Sequence, residues 1–346
     1  MFAIDFHIVK KITQTTIYNK RREFILTIDN IKEEIYNAES IIILTHEMPD
    51  GDAIGSSLAM YNGLKSLGKD VEVVMANNSA VFDFLPRANE IKMQGSKTVY
   101  DLAIALDCGD IKRLNGYTEY FENANSRIEI DHHGINTMFA DYNFVNPAAP
   151  ACAQILITVL EHLGIEITKE IGTCLLTGII TDTGGFKYQG VSAETFEFVA
   201  QLLNKGVNVS NIYKRVLQII SKNRFELRKI AMNRLEFLEN GKIAFTYINK
   251  EDEEKLNAEA DAHEGIVEMG RDVEGVEVSI FLRENNERDG YKISLRSNDY
   301  VNVADICLMF NGGGHIRAAG GSINLPLEEA KQRVIEECKK YLWVEK

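Results

Sequence analysis

The chain has 346 residues, 45% hydrophobic and 26% charged, enough to bury two separate cores. Its net charge of −13, from 38 basic and 51 acidic side chains, argues against capture of long duplex DNA on a broad basic face. No apolar run approaches the roughly 20 residues of a membrane helix. The N-terminal MFAIDFHIVKKITQ has no continuous apolar core or small-residue cleavage site. Five scattered cysteines (108, 152, 174, 307 and 338) form neither a disulfide framework nor a CxxC site, so a cytoplasmic chain with buried free thiols is expected.

In chain order, residues 1–40 read as an amphipathic helical segment, with Ile25, Ile28, Ile31 and Ile35 about one turn apart. A strand at 41–45 leads through the loop 46–52 into a helix over Ala53–Leu67, with Gly68 placed for a left-handed cap. Strands follow at 71–75, 102–106 and 128–130, and helices at 150–163, 168–181 and 192–205. This β-α-β alternation predicts an α/β domain over 1–207, with a mostly parallel sheet and helices on both faces. Residues 208–240 turn helical and charged and end at the turn signal Asn240-Gly241, so they read as a helical connector. Beyond it KIAFTYI, VEVSIFLRE and GYKISLRS alternate as strands, with a hairpin loop at 284–290. A helix over Val303–Phe310, a glycine loop at 312–314, a strand near 320–325 and a helix over Glu328–Leu342 complete a smaller C-terminal α/β domain, 241–346.

The chemistry-bearing residues sit where these apolar runs end. His46, Asp50 and Asp52 follow Ile41–Leu44, Asp107 follows Leu102–Leu106, and Asp131-His132-His133 follows Ile128-Glu129-Ile130. Asp182 ends Gly178–Thr181, at a strand or helix end. In open α/β sheets ligands bind at the carboxyl ends of the strands. A donor set of oxygen and nitrogen without thiolate suits hard or borderline divalent ions. Each motif also has a plainer reading. Asp-Gly-Asp is a common turn and helix N-cap, Asp107 and Asp182 could be caps, and Cys108 could be a small strand-end residue. In the DHH tripeptide, adjacent histidines on opposite sides of an extended chain do not readily share one ion. One is better suited to metal and the other to substrate, with Asp131 orienting an imidazole.

His46-x-x-x-Asp50-x-Asp52, Asp107, Asp131-His132-His133 and Asp182 resemble the four motifs of the DHH phosphoesterase superfamily. Gly312-Gly313-Gly314-His315-x-x-Ala318-Ala319-Gly320 resembles the signature of the DHHA1 domain. Together they span roughly residues 40 to 325, and the layout is similar to that of the nanoRNases that also act on pAp. The resemblance implies two Mn²⁺ ions, with Mg²⁺ or Co²⁺ as substitutes. His46, Asp50 and Asp107 would hold one, and Asp52, Asp107, His132 and Asp182 the other, with Asp107 as the bridge. A water or hydroxide between ions about 3.5–4 Å apart would attack phosphorus. His133 would contact a phosphate oxygen or help protonate the leaving group, and no covalent intermediate is needed. In the second domain the backbone of 312–314 with His315 would hold a phosphate. Arg296 and Ser297 would grip a terminal phosphate or sugar, with Arg271 and Arg317 as weaker candidates. Asn302 is either an N-cap or a ligand contact.

The implied activity is hydrolysis of RNAs of a few nucleotides and of pAp to AMP, in a protein without a membrane partner and with a homodimer as the assembly suggested. Linear or cyclic di-adenylates are an alternative substrate class. A manganese pyrophosphatase is disfavoured by the GGGH loop. A catalytically dead nucleotide or RNA sensor is disfavoured because no metal ligand is missing.

Overall fold

The computed structural model describes residues 27–76, 80–188, 190–259 and 261–342. They form two compact units that divide between Ile219 and Ile220. Of the expected N-terminal helical segment, 27–37 is helix α1; residues 1–26, Ile25 included, lie outside the described part.

In the first unit β1 (Ser40–Leu44), β2 (Asp70–Val74), β3 (Leu102–Leu106), β4 (Ser126–Asp131) and β5 (Tyr142–Val145) form one sheet in the order β2-β1-β3-β4-β5. Every pairing in it is parallel. β1 and β3 are buried at every residue, which is why they read as unbroken apolar runs rather than alternating ones. One face packs against α1, α2 (Gly51–Ser66), α4 (Cys152–His162) and α5 (Lys169–Asp182), burying Ile41, Ile43, Ile104 and Ile130. The other face lies under the 3₁₀ turns of Ile111–Tyr117 and α3 (Thr118–Glu122), over Ile42, Leu44, Ala103 and Ala105. α2 and α5 approach so closely that a Cβ on Gly55 would lie 2.6 Å from the Cys174 carbonyl oxygen. The strand order reverses between β1 and β3, so the loops leaving these two strands flank the crevice where doubly wound sheets bind ligands.

The expected helix at 192–205 is α6 (Ala193–Asn204). β5 was not anticipated. α2 begins two residues earlier than expected because Asp50, not Asp52, is its cap. The segment 208–240, expected as a connecting helix or helix pair, is divided between the two units. α7 (Val209–Tyr213) and a π-helical turn (Lys214–Gln218) belong to the first unit, whereas α8 (Lys222–Asn233) and β6 (Glu236–Leu238) belong to the second. The break comes at an extended Ile219 followed by Ser221, whose hydroxyl caps α8 through Arg224 N at 3.0 Å.

The second unit holds a six-stranded sheet in the order β10-β11-β9-β8-β7-β6. Its further strands are β7 (Ile243–Ile248), β8 (Val278–Glu284), β9 (Tyr291–Ser297), β10 (Gly313–His315) and β11 (Ala318–Ile323). Only β7 and β8 pair in parallel, and their crossover carries α9 (Lys250–Leu256) and α10 (Ile266–Arg271), which the sequence reading left unassigned. β8 and β9 form the expected hairpin, closed by Asn285 N donating to Gly290 O at 2.9 Å. α12 (Leu327–Leu342) buries Ala330, Val334, Cys338 and Leu342, a stripe at every fourth residue, against one face beside α11 (Val303–Leu308). On the other face Leu227 and Ala231 of α8 and Ile266 of α10 pack against Phe281. No helix among the described residues is long and apolar enough to cross a membrane.

A buried acid, Glu72 on β2, organises one corner of the first unit. It accepts from Lys92 Nζ (2.9 Å), Ser96 N (2.8 Å), Tyr100 OH (2.7 Å) and the Ser96 hydroxyl. Burial alone would raise its pKa, but these donors hold it at about 2, below the ordinary 4.5. A depressed carboxylate stabilises the fold above its unfolded pKa, and that contribution is lost as pH falls towards the folded value. Glu72→Gln is therefore expected to cost on the order of 2 kcal/mol at pH 7. In urea titrations the gap between the two proteins should close as pH falls from about 5 towards 2; a gap independent of pH would remove the ionic explanation.

Candidate metal centre

His46 is buried at the end of β1, on a loop pinned by Glu47 N donating to Arg113 O at 2.8 Å. Asp50 N-caps α2, one carboxylate oxygen accepting from Asp52 N (3.0 Å) and Ala53 N (3.1 Å). The plain cap reading and a ligand role are thus compatible, because the other oxygen remains. Asp52, 1% exposed, accepts from Cys152 N (2.6 Å), Ala153 N (3.0 Å) and Ser56 Oγ (3.1 Å).

Asp107 leaves β3 with φ 54°, a left-handed conformation that strains any residue with a Cβ. Its N–H is nonetheless held by Ile130 O at 3.1 Å, and its carboxylate is 2% exposed. One oxygen lies 3.8 Å from His46 Nε2. The other lies 3.4 Å from His132 Nε2 and has no hydrogen-bond partner among the described residues. Nor has the buried Nδ1 of His46.

His132 Nε2 is also 3.4 Å from Asp182 and 3.9 Å from Asp52, while Nδ1 faces Ala149 O at 3.3 Å. With Nδ1–H directed at that carbonyl, Nε2 is the ring atom turned to the carboxylates. His133 turns its Nδ1 to the buried Asp131 at 2.7 Å. Asp182 is the last residue of helix α5, not a strand end. A carboxylate at a helix C-terminus opposes the helix dipole, so capping does not explain it.

Three sets of donor atoms fall within 4.8 Å of one another: His46, Asp50 and Asp107; Asp52, His132 and Asp182; Asp107, His132 and His133. All six metal ligands expected from sequence are therefore gathered at one sheet edge, with Asp107 shared between groups. Orphaned buried donor atoms, and oxygen and imidazole donors alone, fit divalent ions of the Mg²⁺ or Mn²⁺ type.

The electrostatics agree. Burial, reinforced by Asp107 and Asp182, holds Asp52 well above the carboxylate range, and burial pushes Asp182 up to about 6. Burial lowers His46 despite nearby carboxylates. Burial also disfavours charge on His132, but Asp107, Asp52 and Asp182 outweigh it and raise its pKa to about 10. Without cations, protons serve as the counter-charge. Cys108 is a bystander: burial pushes its thiol up to about 12.

In the second unit, β11 pairs Ala318 with Arg296 of β9, so Arg296, Ser297 and the GGGH segment are neighbours. The expected glycine loop is partly strand: Gly313–His315 form β10 on the sheet edge. Gly312 is required by close packing, since a Cβ there would sit 2.0 Å from Gly320 O. His315 is exposed. Arg296 is paired with Glu268 (Nε to Oε1, 2.9 Å), and Arg271 with Asp272. The Ser297 hydroxyl is buried and donates to Val301 O at 2.6 Å, so it braces a turn rather than standing open as a donor. Arg317 donates to the carbonyls of Val301 and Asp299. Asn302 is an N-cap, accepting from Ala304 N at 3.1 Å. Sequence reasoning missed Arg113, whose charge acts on His46, and Asn136, which donates to Asp131 at 2.7 Å. Neither carries a periodic or motif signal.

A parallel sheet whose carboxyl edge gathers five aspartates and three histidines offers the donor set of a metal-dependent hydrolytic centre. Residues 40–179 match the DHH family, N-terminal domain, and residues 240–343 match the DHHA1 domain. The bifunctional oligoribonuclease and PAP phosphatase NrnA of Thermus thermophilus is 37% identical over 309 residues, 87% of this chain and 90% of that protein. The NrnA of Mycoplasma genitalium is 28% identical over 82% of this chain and 89% of its own length. Among solved structures, an exopolyphosphatase-related protein from Bacteroides fragilis is similar at a TM-score of 0.85 and 29% identity, covering 91% of this chain and 96% of that one. The chain belongs to the DHH family of metal-dependent phosphoesterases and carries its DHHA1 domain.

Because Asp107, Asp52 and Asp182 raise the pKa of His132 to about 10 and an imidazole must be neutral to ligate, metal loading is expected to expel about one proton per chain at pH 7.5. Calorimetric Mn²⁺ titrations in buffers of different ionisation enthalpy should show a buffer-dependent heat, and affinity should fall as pH drops through about 6, where Asp182 protonates. A buffer-independent heat would contradict this electrostatic account.

Proposed function

We propose that this enzyme hydrolyses RNAs of a few nucleotides to mononucleotides and pAp to AMP. The observation that carries the reading is the meeting of two donor groups on Asp107. The oligoribonuclease and PAP phosphatase activities of the Thermus thermophilus relative support the substrate class.

In this reading His46, Asp50 and Asp107 hold one ion, and Asp52, Asp107, His132 and Asp182 the second. The ions are Mn²⁺, with Mg²⁺ or Co²⁺ as substitutes. When bound, such a pair supplies an activated water and neutralises charge on the phosphoryl group. The remaining tasks fall to this chain's own groups. Asp131 holds His133 above its ordinary pKa, chiefly through their hydrogen bond, which favours the protonated ring that a phosphate or leaving oxygen calls for. Arg296, His315 and the backbone of 312–314 supply the substrate grip, and the enzyme works in the cytoplasm.

The test is a length series of 5′-labelled RNAs with pAp and cyclic di-adenylate alongside, with Mn²⁺ and after chelation. Dinucleotides and pAp should turn over fastest, and chelation should abolish turnover. Equal rates on long and short RNAs would sink the substrate claim, and preference for cyclic di-adenylate would replace it. Asp107→Ala should lower kcat by about a thousandfold or more, since both donor groups lose their shared member. Turnover near wild type would refute the bridge.

A further inference from the structure

β4 reads Ser-Arg-Ile-Glu-Ile-Asp, and with its period of two it sends Ile128 and Ile130 into the main core and Arg127, Glu129 and Asp131 to the opposite face. Both acids are fully buried. The chain beyond the histidines folds back over them. Asp141 pairs with Arg127 (Nη2 to Oδ1, 2.8 Å), Phe139 packs at a tilt against Phe121 with ring centroids 5.2 Å apart, and Phe139 N donates to Glu129 at 3.2 Å.

Between the acids stands Asn136. Its Nδ2 donates both to Glu129 Oε1 and to Asp131 Oδ2 (2.7 Å), and its Oδ1 accepts from Met138 N at 2.7 Å. The amide has one workable orientation. Reversed, its oxygen would face two carboxylates and its NH₂ would face a backbone N–H. Asp131 thus has Oδ2 held by Asn136 and Oδ1 turned to His133 Nδ1 at 2.7 Å. Thr137 N donates to Gly109 O at 3.0 Å, stitching this loop to the one that carries Asp107.

We propose that Asn136 and Glu129 are positioning residues for His133. The relay Glu129–Asn136–Asp131 fixes the ring through its Nδ1–H, which leaves Nε2–H of the protonated ring as the donor for the leaving oxygen of the substrate. This rests on the phosphoesterase reading above. As water's oxygen bonds to phosphorus and the P–O bond to the ribose breaks, the Nε2 proton passes to the departing ribose oxygen, and a proton from the attacking water restores it. Without the amide, two buried carboxylates on one strand face confront each other and Asp131 loses its fixed orientation.

Asn136→Leu is nearly isosteric and removes the donors. It should lower kcat on a diribonucleotide about 10- to 100-fold with little change in KM. Turnover of a p-nitrophenyl phosphodiester, whose leaving group needs no proton, should change by less than about threefold. Mn²⁺ affinity should stay near wild type. A parallel loss on both substrates, no loss on either, or weakened Mn²⁺ binding would overturn the proposal. A second readout needs no turnover: in the metal-free ¹⁵N-histidine protein, the downfield Nδ1 proton of His133, assigned with His133→Gln, should vanish in Asn136→Leu. Its persistence would overturn the relay. Glu129→Gln serves in the same two tests if Asn136→Leu does not fold. A wild-type protein that cleaves no phosphodiester would refute the enzymatic reading, leaving the relay to be judged by the proton signal.

Discussion

The first unit depends on one carboxylate. Helix α4 starts at Ala151, which has no side chain able to cap it, so the first amides of the helix need an acceptor from elsewhere. Asp52 supplies it from 100 residues away, accepting from Cys152 and Ala153 at the positive end of the helix dipole. The approach requires a bare backbone on α5: a Cβ on Gly178 would lie 2.5 Å from Asp52 Oδ1. A single acid therefore ties α2, α4 and α5 together, and it faces His132 as well. In the proposed metal site the same two oxygens would serve architecture and metal at once, so a substitution at Asp52 would confound stability with activity in a way that one at Asp107 would not.

Asp107 represents the opposite economy. It caps nothing, sits in a left-handed conformation and keeps a buried oxygen without a hydrogen bond among the described residues. Strain, burial and like charge together are hard to reconcile with a purely structural role. What keeps it in place is the framework of loops around it: its own N–H on Ile130, Thr137 on Gly109 and Glu47 on Arg113. The backbones of neighbouring loops are bonded to each other, and this holds together side chains whose like charges repel.

Much of this was legible in the sequence, for a physical reason. Central parallel strands are buried on both faces, so they read as apolar runs with sharp polar ends, and those ends are where His46, Asp107 and Asp131 stand. The same rule misled elsewhere. Ile128-Glu129-Ile130 passes for such a run, yet Glu129 is a buried acid whose partners, Asn136 and Phe139, come from the return loop and leave no local trace. Asp182 follows a run too short to distinguish a strand from the last turn of a helix. β5 buries one residue of four and carries no pattern strong enough to register. In the second unit, glycines suggested a loop at 312–314, whereas the close approach of Gly312 to Gly320 O and of Gly314 to Ala318 O calls for glycine beside a paired strand too. Ser297 shows the limit of motif reading: only the fold reveals that its hydroxyl braces the turn to Val301.

The dispersal of the ligands has a consequence for how the centre comes into being. His46, Asp107 and His132 leave successive strands, but Asp182 arrives only at the end of α5, and Asp52 gains its amide partners only once α4 exists. During synthesis, which proceeds from the N-terminus at about 5–20 residues per second, a nascent chain that has emerged as far as β4 presents most of the acidic cluster with neither its helical cap nor its last donor. A metal ion taken up at that stage would meet an incomplete, more open set of oxygens. On the proposed ligand set, selection of the ion would be a property of the finished domain, because the last donor joins only once α5 has docked.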